Sequence, residues 1–298
     1  MAPRALGGVL VPMTTPFAKD GEMEGASFMA NARAYIESGL SGLVTAGSTG
    51  EAPLLDDDER RELVELVRPL VPADRWLIAG VGAESTRATI VRAREAAAHG
   101  ADAVLVVAPH YYGSAMTDPV LAAHFRRVAD ESPVPLILYN IPKYAHFALS
   151  AELVAALSLH QNVIGVKDSS GDIESLRRYL ASQSETFTVL TGSGATFLPA
   201  LELGARGGIL GVACFAEPLV RVVYESFRHG DRAAALRAQE ALSLLAKEIV
   251  NALGPAGVKA AMHAVGLRAG TLRAPLVSLS PDESTHVREL LQGLLAVQ

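Results

Sequence analysis

One lysine of this 298-residue chain stands at an unusual place, the end of a short apolar run. Lys167 closes the run 163–166, although the chain has five lysines against 21 arginines and rarely uses lysine for surface charge. A lysine at the end of a buried strand loses hydration, which favours the neutral amine. A neutral amine can attack a carbonyl carbon and form a Schiff base. The alternative is structural, an ion pair with Asp168 or another acid, and position alone favours neither.

Polar residues that close other apolar runs can serve the same chemistry. Tyr139 ends the preceding run, and a phenol near such an amine can shuttle protons, although buried tyrosines often only pack. Ser48 and Thr49 lie in a tight turn between glycines, where hydroxyls and backbone N–H groups suit a carboxylate. Tyr111 and Tyr112 follow another run, but paired aromatic residues often only pack against each other. Each of these signals is weak when taken alone.

The elements that must position these residues are eight short apolar runs with helical patterns between them. The runs lack polar alternation, which is typical of parallel strands covered on both faces. They are Gly8–Met13, Gly42–Thr45, Trp76–Gly80, Ala103–Ala108, Pro135–Tyr139, Val163–Lys167, Thr188–Thr191 and Gly208–Val212. The segments between them carry apolar residues at three- and four-residue spacing, which predicts amphipathic helices. These helices are Glu24–Ser38, Asp57–Val71, Ser85–His99, Thr117–Glu131, Ala151–Leu157, Asp172–Ala181 and Ala195–Leu203.

Eight strand–helix units in roughly 230 residues predict an α/β fold, a (β/α)8 TIM barrel. A doubly wound sheet would bring a glycine-rich turn after the first strand, and none is present. Further helices predict a helical C-terminal extension: Glu217–Arg228, Asp231–Ala252, Gly257–Val265 and Pro281–Val297. We therefore divide the chain into a barrel domain, 1–228, and the extension, 229–298. Active sites of barrels lie at the carboxyl ends of the strands, where the polar residues above cluster.

Composition restricts the function classes. Half of the residues are apolar, 19% are charged, the formal net charge is −6 and the pI is about 5.8. Disorder is excluded as the main state, and nucleic acid or an anionic membrane is a poor partner for such a chain. The eight histidines show no metal-binding spacing, and the single Cys214 forms neither an internal disulfide nor a metal site alone. We expect a cytoplasmic protein with no membrane span and no signal peptide.

Five motifs, in this order, resemble the dihydrodipicolinate synthase / N-acetylneuraminate lyase family of pyruvate-handling class I aldolases and lyases. They are Gly8-Val9-Leu10-Val11-Pro12 with Thr15-Pro16-Phe17, Gly47-Ser48-Thr49-Gly50-Glu51, Pro109 with Tyr111-Tyr112, Tyr139-Asn140-Ile141-Pro142, and Gly165-Val166-Lys167-Asp168. The resemblance covers nearly the whole chain. It implies a TIM barrel with a helical extension, a 2-oxo acid substrate, no metal or organic cofactor, and a homo-oligomer, a tetramer or a dimer.

The resemblance also implies roles for single residues. Lys167 matches the family's Schiff-base lysine, and Tyr139 matches the tyrosine that moves protons during imine formation and carbon–carbon bond making or breaking. Ser48 and Thr49 match the pair that binds the 2-oxo acid carboxylate and joins a proton relay. Tyr112 matches the tyrosine that some members supply to a neighbouring subunit.

Other matched positions concern the substrate. Gly192 and Ile209 match backbone positions that line the pyruvoyl pocket. Many synthases of the family carry an arginine two residues after the proline of the Asn-(Val/Ile)-Pro motif, which grips the carboxylate of the aldehyde substrate. Here that residue is Tyr144, and the adjacent Lys143 can supply the charge but lacks the bidentate fork.

The stretch 167–172, which contains Ser169, and the late segments 254–267 and 273–276 resemble the 4-hydroxy-2-oxoglutarate aldolase branch. We therefore predict cleavage of such a substrate to pyruvate and an aldehyde such as glyoxylate, with Ser169 among the substrate-binding residues. The alternatives within the family are 4-hydroxy-tetrahydrodipicolinate synthase and a 2-keto-3-deoxy sugar acid aldolase or dehydratase. Outside it stand a non-catalytic 2-oxo acid sensor and a barrel for sugar phosphates, the latter opposed by the lack of basic residues near the last strands except Arg206.

Overall fold

A computed structural model describes residues 5–295, whose centre is a closed barrel of eight parallel strands. The strands are β1 Gly8–Pro12, β2 Gly42–Thr45, β3 Trp76–Gly80, β4 Ala103–Val107, β5 Leu136–Asn140, β6 Val163–Asp168, β7 Thr188–Thr191 and β8 Gly207–Ile209. Each strand pairs with the next along the chain, and β8 closes the barrel on β1. The predicted TIM barrel is confirmed.

Helices surround the strands and continue after the last one. They are α1 Gly25–Glu37, α2 Asp57–Val67, α3 Thr86–Ala98, α4 Asp118–Glu131, α5 Pro142–Ala145, α6 Ala151–Ser158, α7 Ile173–Leu180, α8 Phe197–Leu203, α9 Glu217–Arg228, α10 Arg232–Leu245, α11 Ala252–Ala264 and α12 Pro281–Leu295. The predicted helical C-terminal region is present, and the end of its last predicted helix, 296–297, lies outside the described residues. The division at residue 228 stays a prediction.

Two apolar layers hold the barrel together. A small cluster fills its interior with one or two side chains from each of several strands, among them Leu10, Val44 and Ile137. A larger cluster joins the outer faces of the strands to the helices. Burial on both faces explains why the strands read as continuous apolar runs without polar alternation. Because these side chains fill the barrel interior, the space for a ligand lies where the strands end.

An irregularity in β6 decides what faces the ligand end. Leu136 of β5 pairs with Val163, but Ile137 pairs with Gly165, so the register shifts by one residue. Without this bulge, Tyr139 would lie opposite Val166. With it, Tyr139 lies opposite Lys167, and both side chains point to the same side of the barrel wall.

Three elements differ from the prediction. The eighth strand ends at Ile209, because the next residues wind into the 3₁₀ turn Gly211–Cys214. The single helix predicted over 231–252 is α10 followed by a π-helical turn, Ala246–Asn251, that leads into α11. The short helix α5 was not predicted. Within residues 5–295, no helix combines the length and apolarity that a membrane crossing requires.

Candidate functional site

Lys167 lies at the carboxyl end of β6 with its side chain inside the mouth of the barrel. It is 5% exposed, and its Nζ atom lies 4.2 Å from the centre of the Tyr139 ring. The Tyr139 hydroxyl lies 3.4 Å from Ser48 Oγ, at hydrogen-bond distance. Within the described part of the chain, no carboxylate forms an ion pair with Lys167. The structural alternative for Lys167, pairing with a rim acid such as Asp168, is therefore absent from residues 5–295.

Asp168 serves another partner. Its carboxylate accepts hydrogen bonds from Asn140 Nδ2 at 2.7 Å and from the Ser170 backbone N–H and hydroxyl at 3.0 and 2.8 Å. Burial raises the pKa of Asp168, and these hydrogen bonds oppose the rise. The bond between Asn140 and Asp168 joins the ends of β5 and β6. Asn140 Oδ1 also accepts from the Leu149 N–H at 3.0 Å, which fixes the orientation of the Asn140 amide. Tyr139 and Lys167, one residue earlier on each strand, are thereby held in register.

The turn that contains Ser48 and Thr49 is flanked along the chain by two residues with left-handed backbone conformation. Ser48–Gly50 is a 3₁₀ turn, with Ala46 before it at φ 49° and Glu51 after it at φ 57°. Positive φ is uncommon for residues other than glycine, and each such residue costs of order 1–3 kcal/mol. The first N–H groups of a helical turn have no acceptor in the turn itself, so they are available to an anion.

Gly192 brings the end of β7 into contact with β6. A methyl group at this position would lie 1.9 Å from Ser169 Oγ and 2.9 Å from Lys167 Cε. Its N–H donates to the Asp168 carbonyl at 2.6 Å. Only glycine leaves the lysine side chain and the Ser169 hydroxyl their present positions.

The rim of the site is formed by α5 and the π-helical turn. Lys143 Nζ donates to the Asn251 carbonyl at 2.8 Å. That carbonyl lacks an ordinary helical donor, because the residue four positions later is Pro255, which has no N–H. Tyr144 also borders the site, and burial raises the pKa of its hydroxyl, with a smaller contribution from Tyr139.

These residues enclose a cavity of about 190 Å³ at the ligand end of the barrel. Eight of the nine predicted site residues line it: Ser48, Thr49, Tyr139, Lys143, Lys167, Ser169, Gly192 and Ile209. The ninth, Tyr112, is 70% exposed, stacks edge-on with Tyr111 and does not line the cavity.

Sequence reasoning missed the residues of the C-terminal region that complete the wall. They are Val250, Asn251, Gly254, Pro255 and Val258. The cavity therefore takes residues from both predicted domains. The available sequence signal was the pair Gly254-Pro255, which coincides with a break in α11 where Gly254 has φ 58° and ψ −145°. Within the described residues, no three His, Cys, Asp or Glu side chains are grouped as metal ligands.

A parallel barrel with a buried lysine at a strand end, beside a tyrosine and a hydroxyl-bearing turn, defines a class of lyases that act through an imine. A profile of the dihydrodipicolinate synthetase family matches residues 5–294. The chain belongs to this family and is a carbon–carbon lyase of the class I pyruvate aldolase type.

The relatives agree with one another on the family. The chain is 37% identical to a 4-hydroxy-tetrahydrodipicolinate synthase of Synechococcus sp. (strain CC9605), over 99% of this chain and 97% of that protein. It is 38% identical to an uncharacterised DapA-like lyase of Halobacterium salinarum, over 98% and 95%. Among solved structures, YagE of E. coli K12 in complex with pyruvate has a TM-score of 0.92 at 27% identity, covering 97% of this chain and 99% of that one.

Proposed function

We propose that this chain cleaves 4-hydroxy-2-oxoglutarate-type substrates to pyruvate and an aldehyde such as glyoxylate, with Lys167 as the Schiff-base residue. One observation carries the proposal. Lys167 and Tyr139 share a buried cavity in which Nζ lies 4.2 Å from the tyrosine ring centre and no carboxylate of residues 5–295 pairs with the amine. An amine that no carboxylate pairs with is free to approach a ketone.

The residues divide the steps among them. The Lys167 amine attacks the C2 ketone, and Tyr139 gives its proton to the hydroxyl that leaves as water, so a protonated imine and the Tyr139 phenolate remain. The Tyr139 phenolate takes the proton of the C4 hydroxyl, the C3–C4 bond breaks, and the aldehyde leaves while the electron pair passes into the enamine. Tyr139 passes that proton to C3, and hydrolysis of the imine releases pyruvate and the lysine while one proton of the attacking water returns to Tyr139. Ser48 and Thr49 hold the C1 carboxylate, which aligns C2 with the amine.

The rim supplies the contact for the far end of the substrate. Lys143 Nζ donates to the Asn251 carbonyl, which cannot receive the usual N–H four residues on because that residue is Pro255, so a substrate carboxylate can replace this acceptor. Tyr144 stands where many synthases of the family carry an arginine, and this supports glyoxylate over aspartate semialdehyde as the aldehyde.

4-Hydroxy-tetrahydrodipicolinate synthase is the second candidate. It is favoured by the relatives, since a protein named as that synthase is 37% identical over nearly the whole chain. Both candidates share the pyruvoyl imine and differ only in the aldehyde. A screen for pyruvate released from 4-hydroxy-2-oxoglutarate, run beside condensation of pyruvate with aspartate semialdehyde, separates them. Faster condensation than cleavage would reverse our order.

Borohydride trapping with pyruvate tests the imine itself. We expect a mass increase that peptide mass spectrometry assigns to Lys167, and neither adduct nor turnover in Lys167→Ala. That variant should stay folded, because the amine is at the cavity and not in the packed interior. A folded wild-type protein without an adduct would favour the non-catalytic 2-oxo acid sensor. Full activity in Lys167→Ala would contradict the assignment.

The family resemblance extends the proposal to assembly. We propose a homo-oligomer, a tetramer or a dimer, in which Tyr112 reaches the relay of a neighbouring subunit. The exposure of Tyr112 supports this role. Its ring is 70% exposed and the adjacent Tyr111 ring is 77% exposed, so together they form an exposed aromatic surface that a second subunit can cover.

A further inference from the structure

A buried ion pair lies behind the turn that contains Ser48 and Thr49. Lys259 Nζ lies 2.5 Å from Glu51 Oε1, and the two residues are 3% and 2% exposed. Glu51 directly follows the 3₁₀ turn, and Lys259 belongs to α11, whose preceding turn lines the cavity through Pro255 and Val258. The pair therefore joins two walls of the same cavity from behind.

Both charged groups have polar partners besides each other. Lys259 Nζ donates to two carbonyls, of Thr15 at 2.7 Å and of Thr271 at 2.5 Å, and meets Glu51 Oε1 as an ion pair without hydrogen-bond geometry. The second Glu51 oxygen accepts from the Arg273 backbone N–H at 3.0 Å. Burial lowers the pKa of Lys259, and the Glu51 carboxylate opposes that effect.

The conformation of Glu51 shows what this pair holds. Glu51 has φ 57° and ψ 35°, a left-handed conformation that a residue with a side chain adopts only where its surroundings fix it. Its backbone N–H donates to the Ser48 carbonyl and closes the turn. Since the side chain is fixed by Lys259 and Arg273, the strained backbone that ends the turn is fixed as well.

Stability alone does not explain a charged pair at this place. Two buried charges lose their hydration, and a well-packed apolar pair of similar volume is often as stable or more so. The ion pair adds direction, because the ammonium is placed by two carbonyl acceptors together with the Glu51 carboxylate. That geometry sets the position of the turn relative to α11.

From this arrangement we propose that Glu51 and Lys259 are positioning residues, which hold the Ser48–Thr49 turn in the shape that receives the 2-oxo acid carboxylate. The inference deepens the proposed function and rests on it. Neither residue touches the cavity, so both act through the turn. Their loss weakens the binding of the carboxylate more than the chemistry at the imine.

Three variants test the pair: Glu51→Gln, Lys259→Met, and the double variant. The double variant leaves no uncompensated buried charge, so it is the one to use where a single variant does not fold. The first measurement is hydrogen exchange of the backbone amides in residues 48–52. The second is the pyruvate concentration that gives half-maximal borohydride trapping on Lys167.

We expect the amides to exchange about tenfold faster and the half-saturating pyruvate concentration to rise about tenfold, while trapping at saturation stays complete. A purely structural role would lower the folded fraction and the maximal adduct without moving half-saturation. Asp102→Asn is the control, because it removes a carboxylate from the half-buried pair with Arg68, which does not border the cavity. It should reduce stability and leave half-saturation unchanged.

The outcomes separate the two proposals. Unchanged exchange in folded variants overturns the positioning role, and so does faster exchange with unchanged half-saturation. A wild-type protein that gives no adduct overturns the proposed function instead, and the exchange data then still decide whether the pair holds the turn.

Discussion

Tyr139 can pack or transfer protons, and its surroundings favour transfer. Its hydroxyl is 3.4 Å from Ser48 Oγ and borders the cavity, whereas a purely packed tyrosine satisfies its hydroxyl with a backbone carbonyl. Tyr179 is the comparison within this chain, since its buried hydroxyl donates to the Leu149 carbonyl at 2.5 Å. Tyr179 therefore represents the packing role, and Tyr139 has the surroundings expected for proton transfer.

Tyr139→Phe should slow turnover by roughly 10² or more, the scale of one general acid or base. The reason is that the ring keeps its contact with Lys167 while the proton carrier is lost. Single-turnover cleavage, followed by pyruvate release, measures the step. Tyr179→Phe is the matched control, expected to lower stability and to leave kcat unchanged. Equal rates for Tyr139→Phe and wild type would reduce Tyr139 to a packing residue.

For single residues, the sequence predicts those that interrupt a local pattern. It does not predict pairs of residues that are distant in sequence and meet only in the folded chain. Lys167 interrupts an apolar run, and the family motifs point to Tyr139 and Ser48. Glu51 was visible only as the last letter of a motif, and its partner Lys259 lies 208 positions away on an ordinary helix. No periodicity links two such residues, because their meeting depends on the path of the whole chain.

At the scale of elements, the close packing of β6 against β7 can be tested at Gly192. Gly192→Ala should reduce imine formation strongly, because its methyl group would lie 1.9 Å from Ser169 Oγ and 2.9 Å from Lys167 Cε. The second distance is the important one, since a displaced Cε moves the nucleophile from its place beside the Tyr139 ring. Borohydride trapping with pyruvate measures the effect.

The double variant Ser169→Ala with Gly192→Ala separates the two contacts. It removes the hydroxyl at 1.9 Å and leaves two contacts at 2.9 Å, with Lys167 Cε and with Cβ of residue 169, so we expect only partial recovery. Full recovery would show that Ser169, and not the lysine, is the group that requires glycine. Wild-type trapping in the single variant would mean that the strands separate without displacing Lys167.

Elements could be predicted where a pattern runs long enough. The eight strands follow from apolar runs bounded by turns, and helices such as α3 follow from several turns of spacing. The four residues of α5, Pro142–Ala145, are too few to show a period. The π-helical turn Ala246–Asn251 adds a residue to a turn without changing the apolar pattern, so the sequence reads as one helix. The bulge in β6, which brings Lys167 opposite Tyr139, leaves no pattern either.

At the scale of the whole molecule, Tyr112 makes the assembly testable. If it completes the relay of a neighbouring subunit, Tyr112→Phe should lower kcat about tenfold or more and leave the oligomer mass unchanged. Sedimentation velocity gives the mass, and steady-state kinetics gives kcat. Tyr111→Phe, the adjacent exposed ring, is the control and should be near wild type. A fully active monomer would contradict both the oligomer and the role of Tyr112.

Acid stability is a property of the whole fold that one buried side chain influences. His124 on α4 is 5% exposed, and its Nδ1 lies 2.9 Å from the hydroxyl of Thr86 on α3. Burial lowers the pKa of His124 to about 4, with the Glu84 carboxylate opposing. In the unfolded chain its pKa is about 6.5, so between these values the unfolded state binds the proton and the folded state does not. Stability therefore falls as pH drops from 6.5 towards 4.

We expect His124 to account for a loss of about 2–3 kcal/mol in the free energy of unfolding between pH 7 and 4.5. Urea unfolding of wild type and His124→Asn across this range measures it, because the asparagine removes the titrating ring. The variant should be less stable than wild type at pH 7 and lose less stability on acidification, so the two curves converge. His229→Asn, at an exposed histidine, should run parallel to wild type. Parallel curves for His124→Asn would mean that the ring is protonated in the folded barrel as readily as in the unfolded chain, and that α3 and α4 admit water there.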